Sequence, residues 1–244
     1  MTDNAAFSPE QEEALKSILG ERTSSEYTTV ELPSNGLSYQ KTAKIRPFTF
    51  SDEKFALKAD VKKSDFLNVL LKRCVKDIDL DDLYLCDKLF LVYKLKEIST
   101  GSSMPVLIEC EACGLESSMK IDLSVLNVKF MKEDLDYPIK INLDVLQKEA
   151  KIRPARVREE SYSTSFEVLS NNLWRFVESI HEVEDKTVLA EVIPRLPVED
   201  VHNIMRHISL SDYGIDPTAV FACPSCSNKQ EMEVPLTTNF FGAT

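Results

Sequence analysis

Apolar residues along this 244-residue chain switch repeatedly between helical spacing and strict alternation, which predicts short helices interleaved with short strands. Leu15, Ile18 and Leu19 follow Ser8-Pro9-Glu10-Gln11, where Ser8 can cap, Pro9 suits the first turn and Gln11 completes a capping box. A helix is predicted from there to about Gly20. Ser24-Ser25 reads as a linker. Tyr27 to Leu32 alternates as a strand does, Pro33-Ser34-Asn35-Gly36 is a turn, and Lys44 to Phe48 reads as a second strand. Helices are predicted at 51–58, 64–75 and 82–99. The last is apolar on most sides, as a central helix should be. Pro138 to Leu143 alternates again. Phe166, Leu169, Leu173, Trp174, Val177 and Ile180 predict a helix over 163–182 with Trp174 as a core anchor, and further helices follow at 186–193 and from Pro197 to about 208.

Two stretches share more than a period. Residues 106–123, VLIECEACGLESSMKIDL, and 219–236, AVFACPSCSNKQEMEVPL, each read as a strand, a Cys-x-x-Cys turn and a returning strand. One shift superposes Cys110 on Cys223, Cys113 on Cys226, Met119 on Met232 and Leu123 on Leu236. It also brings Leu83 onto Leu196, Asp87 onto Asp200 and Gly101 onto Gly214. Ala43-Lys44-Ile45-Arg46-Pro47 recurs as Ala150-Lys151-Ile152-Arg153-Pro154 at a shift six residues smaller, which one loop insertion explains. Internal repetition sets architecture. The expected fold is α+β: two pseudo-repeated units of short strands and helices, joined by a four-cysteine, zinc-ribbon-like site. The expected divisions are an N-terminal helical arm and linker (1–25), a first repeat (26–145), a second repeat (146–237) and an aromatic tail (238–244).

The cysteine spacing carries the chemistry. Thiolates two residues apart on a tight turn reach one tetrahedral metal, and two such turns complete a four-sulfur shell. Cys110, Cys113, Cys223 and Cys226 are therefore expected to hold one structural Zn2+ per chain, with the units packed about a pseudo-twofold axis. Iron fits the same donors. Closing such a site contributes on the order of 10 kcal/mol to folding in zinc-finger peptides. A redox dithiol needs its pair at a helix start beside a parallel sheet, whereas both pairs here follow strands. Cys74 and Cys86 sit among apolar neighbours on predicted helices and read as core thiols.

Composition narrows the rest. A net charge of −11 argues against a nonspecific grip on nucleic acid. Lys151, Arg153, Arg156 and Arg158 form the best basic candidate, read as one solvated or partner-facing strand edge. Asp77 to Asp82 resembles a calcium loop, but its sixth and twelfth positions hold Asp82 and Lys88. The acids are expected to serve the next helix's N-terminus instead. His202 and His207 are five apart with no HExxH context, His181 reads as a helix end, and no nucleophile elbow or phosphate-cradling glycine loop occurs. An enzyme is not expected, nor a membrane span, and the acidic, polar start does not read as a secretory signal.

Several features together resemble a known family. Glu31-Leu32-Pro33-Ser34-Asn35-Gly36 precedes Ile45-Arg46-Pro47-Phe48. Asp52-Glu53, the Leu83-to-Ile98 helix and the first Cys-x-x-Cys follow, and Phe221-x-Cys-Pro-x-Cys comes late, before an aromatic end. Over about 27–241 the chain resembles the hub-associated baseplate proteins of T-even-type contractile phages. The resemblance implies a component or assembly factor of the central hub, with other hub and spike proteins and the tape-measure protein as partners. It implies host cytoplasm during assembly and the virion tail baseplate afterwards. It supplies no catalytic residue, no small-molecule substrate and no membrane partner. The alternative is a zinc-ribbon factor acting on nucleic acid or a polymerase. Thr237 to Gly242 and the helical arm 8–19 are the candidate contacts.

Overall fold

The computed structural model describes residues 8–19, 26–58, 66–133, 135–163 and 165–234. Helix α1 (Pro9–Leu19) starts as expected: Ser8 N donates to Gln11 Oε1 at 2.9 Å and Gln11 N to Ser8 Oγ at 3.3 Å. Strands β1 (Thr28–Glu31) and β2 (Thr42–Ile45) form a hairpin whose turn carries Asn35 and Gly36 at positive φ. Helices α2 (Phe50–Lys58) and α3 (Phe66–Cys74) lead to β3 (Val75–Lys76), which pairs with β2. The central helix α4 (Leu85–Thr100) enters the hairpin β4 (Ser103–Glu109) and β5 (Glu116–Asp122).

After β6 (Val128–Lys129) the plan repeats. Strands β7 (Ile139–Leu143) and β8 (Lys148–Ile152) form a hairpin, α5 (Phe166–Asn172) leads to β9 (Val177–Ile180) against β8, and α6 (Lys186–Val192) precedes α7 (Val198–Ser209). Short β10 (Gly214–Ile215) pairs with β6, and β11 (Thr218–Ala222) with β12 (Lys229–Glu233) make the closing hairpin.

The repetition extends to single side chains. Thr28 faces Ile45 and Val30 faces Ala43 in the first sheet. Ile139 faces Ile152 and Ile141 faces Ala150 in the second, and in both sheets a returning strand pairs with the second strand of the hairpin. Arg46 grips Asp52 through two bonds (2.8 and 3.2 Å) and reaches Arg73 O. Arg153 grips Glu159 through two (both 2.7 Å) and reaches Arg175 O. The Arg73 guanidinium lies 4.5 Å from the Phe55 ring centre and that of Arg175 lies 4.5 Å from Tyr162. Buried Asp87 accepts the Ser34 N–H of the first hairpin turn at 2.8 Å. Buried Asp200 accepts the Val145 and Leu146 N–H groups of the second, each at 3.1 Å. A carboxylate in the first turn of a helix thus satisfies hairpin donors that burial would otherwise leave unpaired.

Some expected boundaries move. The helix read over 163–182 ends at Asn172, a 3-10 turn covers Leu173–Arg175, and Val177 and Ile180 lie on β9, because pairing with β8 overrides a short helical period. His181 therefore follows a strand, at φ 54°, and ends no helix. Trp174 is half-buried at the edge of the second core. The second strand stops at Ile45, before Pro47, which has no N–H to pair. Helix α4 starts at Leu85 because Asp79 caps a separate 3-10 turn, Leu80–Asp82. The basic run is no single strand face either: β8 ends at Ile152 and Val157–Tyr162 is a 3-10 turn.

Buried residues form two clusters, one around each three-stranded sheet, and both cysteine hairpins pack on the first through Ile108, Ile121, Phe221 and Val234. The bodies meet at the start of α4. Tyr84 and Cys86 bury in the second cluster, while Val157 packs on the first and donates its N–H to Leu83 O at 2.8 Å. Arg156 reaches Asp82 O (2.7 Å) and Ser38 Oγ (3.0 Å), Arg158 pairs with Asp82, and Lys88 pairs with Glu160 at 2.6 Å. Arg156 and Arg158 therefore hold the bodies together.

Candidate metal centre

The two Cys-x-x-Cys turns are built alike. In the first, Cys110 N donates to Leu115 O (3.0 Å) and Gly114 N to Cys110 O (2.8 Å). In the second, Cys223 N donates to Asn228 O and Ser227 N to Cys223 O, at 2.8 and 2.9 Å. Gly114 and Ser227 hold the same place at φ 68° and 59°. This left-handed residue suits glycine and is strained for serine, and it turns each chain back so that both thiols of a pair face one side.

The four Sγ atoms lie within 4.8 Å of one another and could hold a metal ion. Cys110 and Cys226 are 3.6 Å apart, Cys113 and Cys223 are 3.7 Å apart, so exchanging the two turns maps one pair onto the other. Cys110 and Cys223 are buried, and Cys113 and Cys226 face solvent. The Cys226 N–H, opposed by burial and joined by the Ser225 N–H, draws the Cys223 thiol down to about 6. Against the pull of the Leu115 N–H, neighbouring thiols push Cys113 up to about 12. Four sulfurs this close cannot all ionise without a cation between them.

Gln230 locks the turns together across the gap. Its Oε1 accepts the Glu111 N–H at 3.0 Å and its Nε2 donates to Glu109 O at 3.1 Å. Sequence reasoning missed this residue, since a glutamine among strand residues carries no signal of its own. Cys74 and Cys86 are buried, as expected of core thiols, and burial pushes both well above a free thiol's range. The acids of the calcium-like stretch are dispersed: Asp77 pairs with Lys44, Asp81 with Lys72 and Asp82 with Arg156 and Arg158. His202 stacks edge-on against Phe166, and His207 Nδ1 lies 2.9 Å from Asn203 O. Among the described residues, the four cysteines are the one gathering of His, Cys, Asp and Glu suited to an ion. The aromatic tail contact at 237–242 lies outside the described residues, and on α1 Ile18 is exposed.

Comparison with known proteins places these features in context. A family model described as T4 bacteriophage base plate protein matches residues 24–242. No curated protein and no solved structure matches the chain significantly.

Proposed function

The chain belongs to the T4 bacteriophage base plate protein family, and on that premise we propose that it is a non-catalytic structural or assembly protein of the baseplate's central hub, stabilised by one structural zinc on Cys110, Cys113, Cys223 and Cys226. The sulfur geometry carries the metal half of this reading. A Zn–S bond of about 2.3 Å makes the edge of a regular ZnS4 tetrahedron about 3.8 Å, and the nearest pairs across the two turns are 3.6 and 3.7 Å apart. Four thiolates leave no open position for substrate, so the ion staples rather than catalyses. Its protein partners are other hub and spike proteins and the tape-measure protein, met first in the host cytoplasm and then in the tail baseplate. The stapled units are the repeats read at 26–145 and 146–237, with the β7–β8 hairpin lying across their boundary.

Elemental analysis of purified protein tests the metal, and co-purification with hub proteins tests the role. One zinc per chain, lost in the Cys110→Ser variant, together with a stoichiometric complex and no turnover, is expected. Iron in place of zinc corrects the ion alone. A metal-free protein ends the staple, and a baseplate that assembles normally without the chain ends the structural role.

A further inference from the structure

The internal duplication has an unused half. Where the bodies meet, Val157 of the second packs on the first core, and Tyr84 and Leu85 of the first pack on the second. The matched Arg46–Asp52 and Arg153–Glu159 clamps place Phe50 in the position of Val157. Buried Asp87 and Asp200, each third in its helix, place Val198 in the position of Leu85. Phe50 and Val198 are therefore the residues that a preceding and a third body, in that order, would cover, and they are 77% and 68% exposed. The two cysteine turns obey a closed exchange, but the bodies do not. Cys86 has the Gly214 backbone against it, whereas Gly101, the counterpart of Gly214, has open space around its Cβ position. A relation that is used once and left open at both ends is heterologous.

We infer that a second copy of this chain docks head to tail, the start of α2 around Phe50 seating on the 193–198 shoulder of the next copy around Val198. The contact repeats between chains the apolar part of the one made within each chain, and closes into a ring or runs on as a filament according to the rotation between bodies. Sedimentation of the full chain up to about 100 µM tests it with Phe50→Asp and Val198→Asp, whose melting curves should match the wild type because both side chains are exposed. Wild type should grow past a dimer with concentration, and each variant alone should remain monomeric. An equimolar mixture of the two should stop at dimers, since one intact joint remains per pair. A monomeric wild type, association untouched by either substitution, or a mixture that stays monomeric or grows beyond dimers would each overturn the inference.

Discussion

Asp52 is the side chain on which the start of α2 depends, so its replacement by asparagine should be costly in a calculable way. The carboxylate is 2% exposed. It accepts from Arg46 Nη1 at 2.8 Å, Arg46 Nη2 at 3.2 Å, Arg73 Nε at 2.7 Å, and Thr49 N and Oγ1 at 2.9 Å each. The Asp52→Asn change would turn a donor amide toward guanidinium groups that need acceptors. Breaking a buried ion pair costs about 3–5 kcal/mol. The Arg46 and Arg73 side chains are 15% and 35% exposed and keep some water, so the lower end applies. About 3 kcal/mol in a chain of this size corresponds to a melting point about 6–12 °C lower.

The pH dependence gives a second readout. Burial works to raise the Asp52 carboxyl, but Arg46, the Thr49 N–H and Arg73 together outweigh it and hold the group well below the usual carboxylate range. A depressed carboxyl stabilises the fold fully above its unfolded value, about 3.9, and that stabilisation drains away as pH falls toward the folded value. Calorimetry should therefore show the gap between wild type and Asp52→Asn wide at pH 7 and narrower near pH 3. The counterpart Glu159→Gln should lose roughly half as much, because Arg153 keeps Glu178 at 3.1 Å. A loss under about 2 °C at pH 7, or a gap of constant width across this range, would refute the argument.

Removing the ion with a chelator should lower the melting point and expose the hairpins to proteolysis, and restoring zinc should reverse both. Unchanged protection of Ile108 and Phe221 amides after chelation would contradict the staple. Gln230→Ala should leave one zinc per chain but speed its release to a chelator several-fold, read by a colorimetric zinc indicator, because Glu111 N and Glu109 O lose their shared partner. Burial raises the Asp87 carboxyl, so its neutral form favours the fold. That contribution is full below the ordinary carboxylate value and lost as pH rises through the raised one. Asp87→Asn should remove this slope from a plot of stability against pH, and an identical slope in the variant would show that another group titrates there.

The gathering of four cysteines was legible because cysteine spacing is a local code, and the α+β class because each strand and helix is set mainly by its own period. The duplication was half legible. Cys110 onto Cys223 and Arg46 onto Arg153 survive as identities, but Ser34 and Val145 share only a backbone N–H pointed at an aspartate. Function resides there in main-chain geometry, which tolerates any side chain. Val177 misled because two apolar residues three apart suit a helix and a bulged strand equally, and only pairing with β8 decides. Arg156 and Arg158 read as a free edge because Asp82, their partner, lies far back in the sequence.

Two symmetries therefore coexist in one chain. The cysteine turns are related by an exchange that closes on itself, and an ion between four sulfurs can satisfy that exchange once and no further. The bodies are related by a step in one direction, made with Val157 and Leu85 and offered again by Phe50 and Val198. A closed relation fixes the shape of the monomer, and an open one transmits that shape to a neighbour.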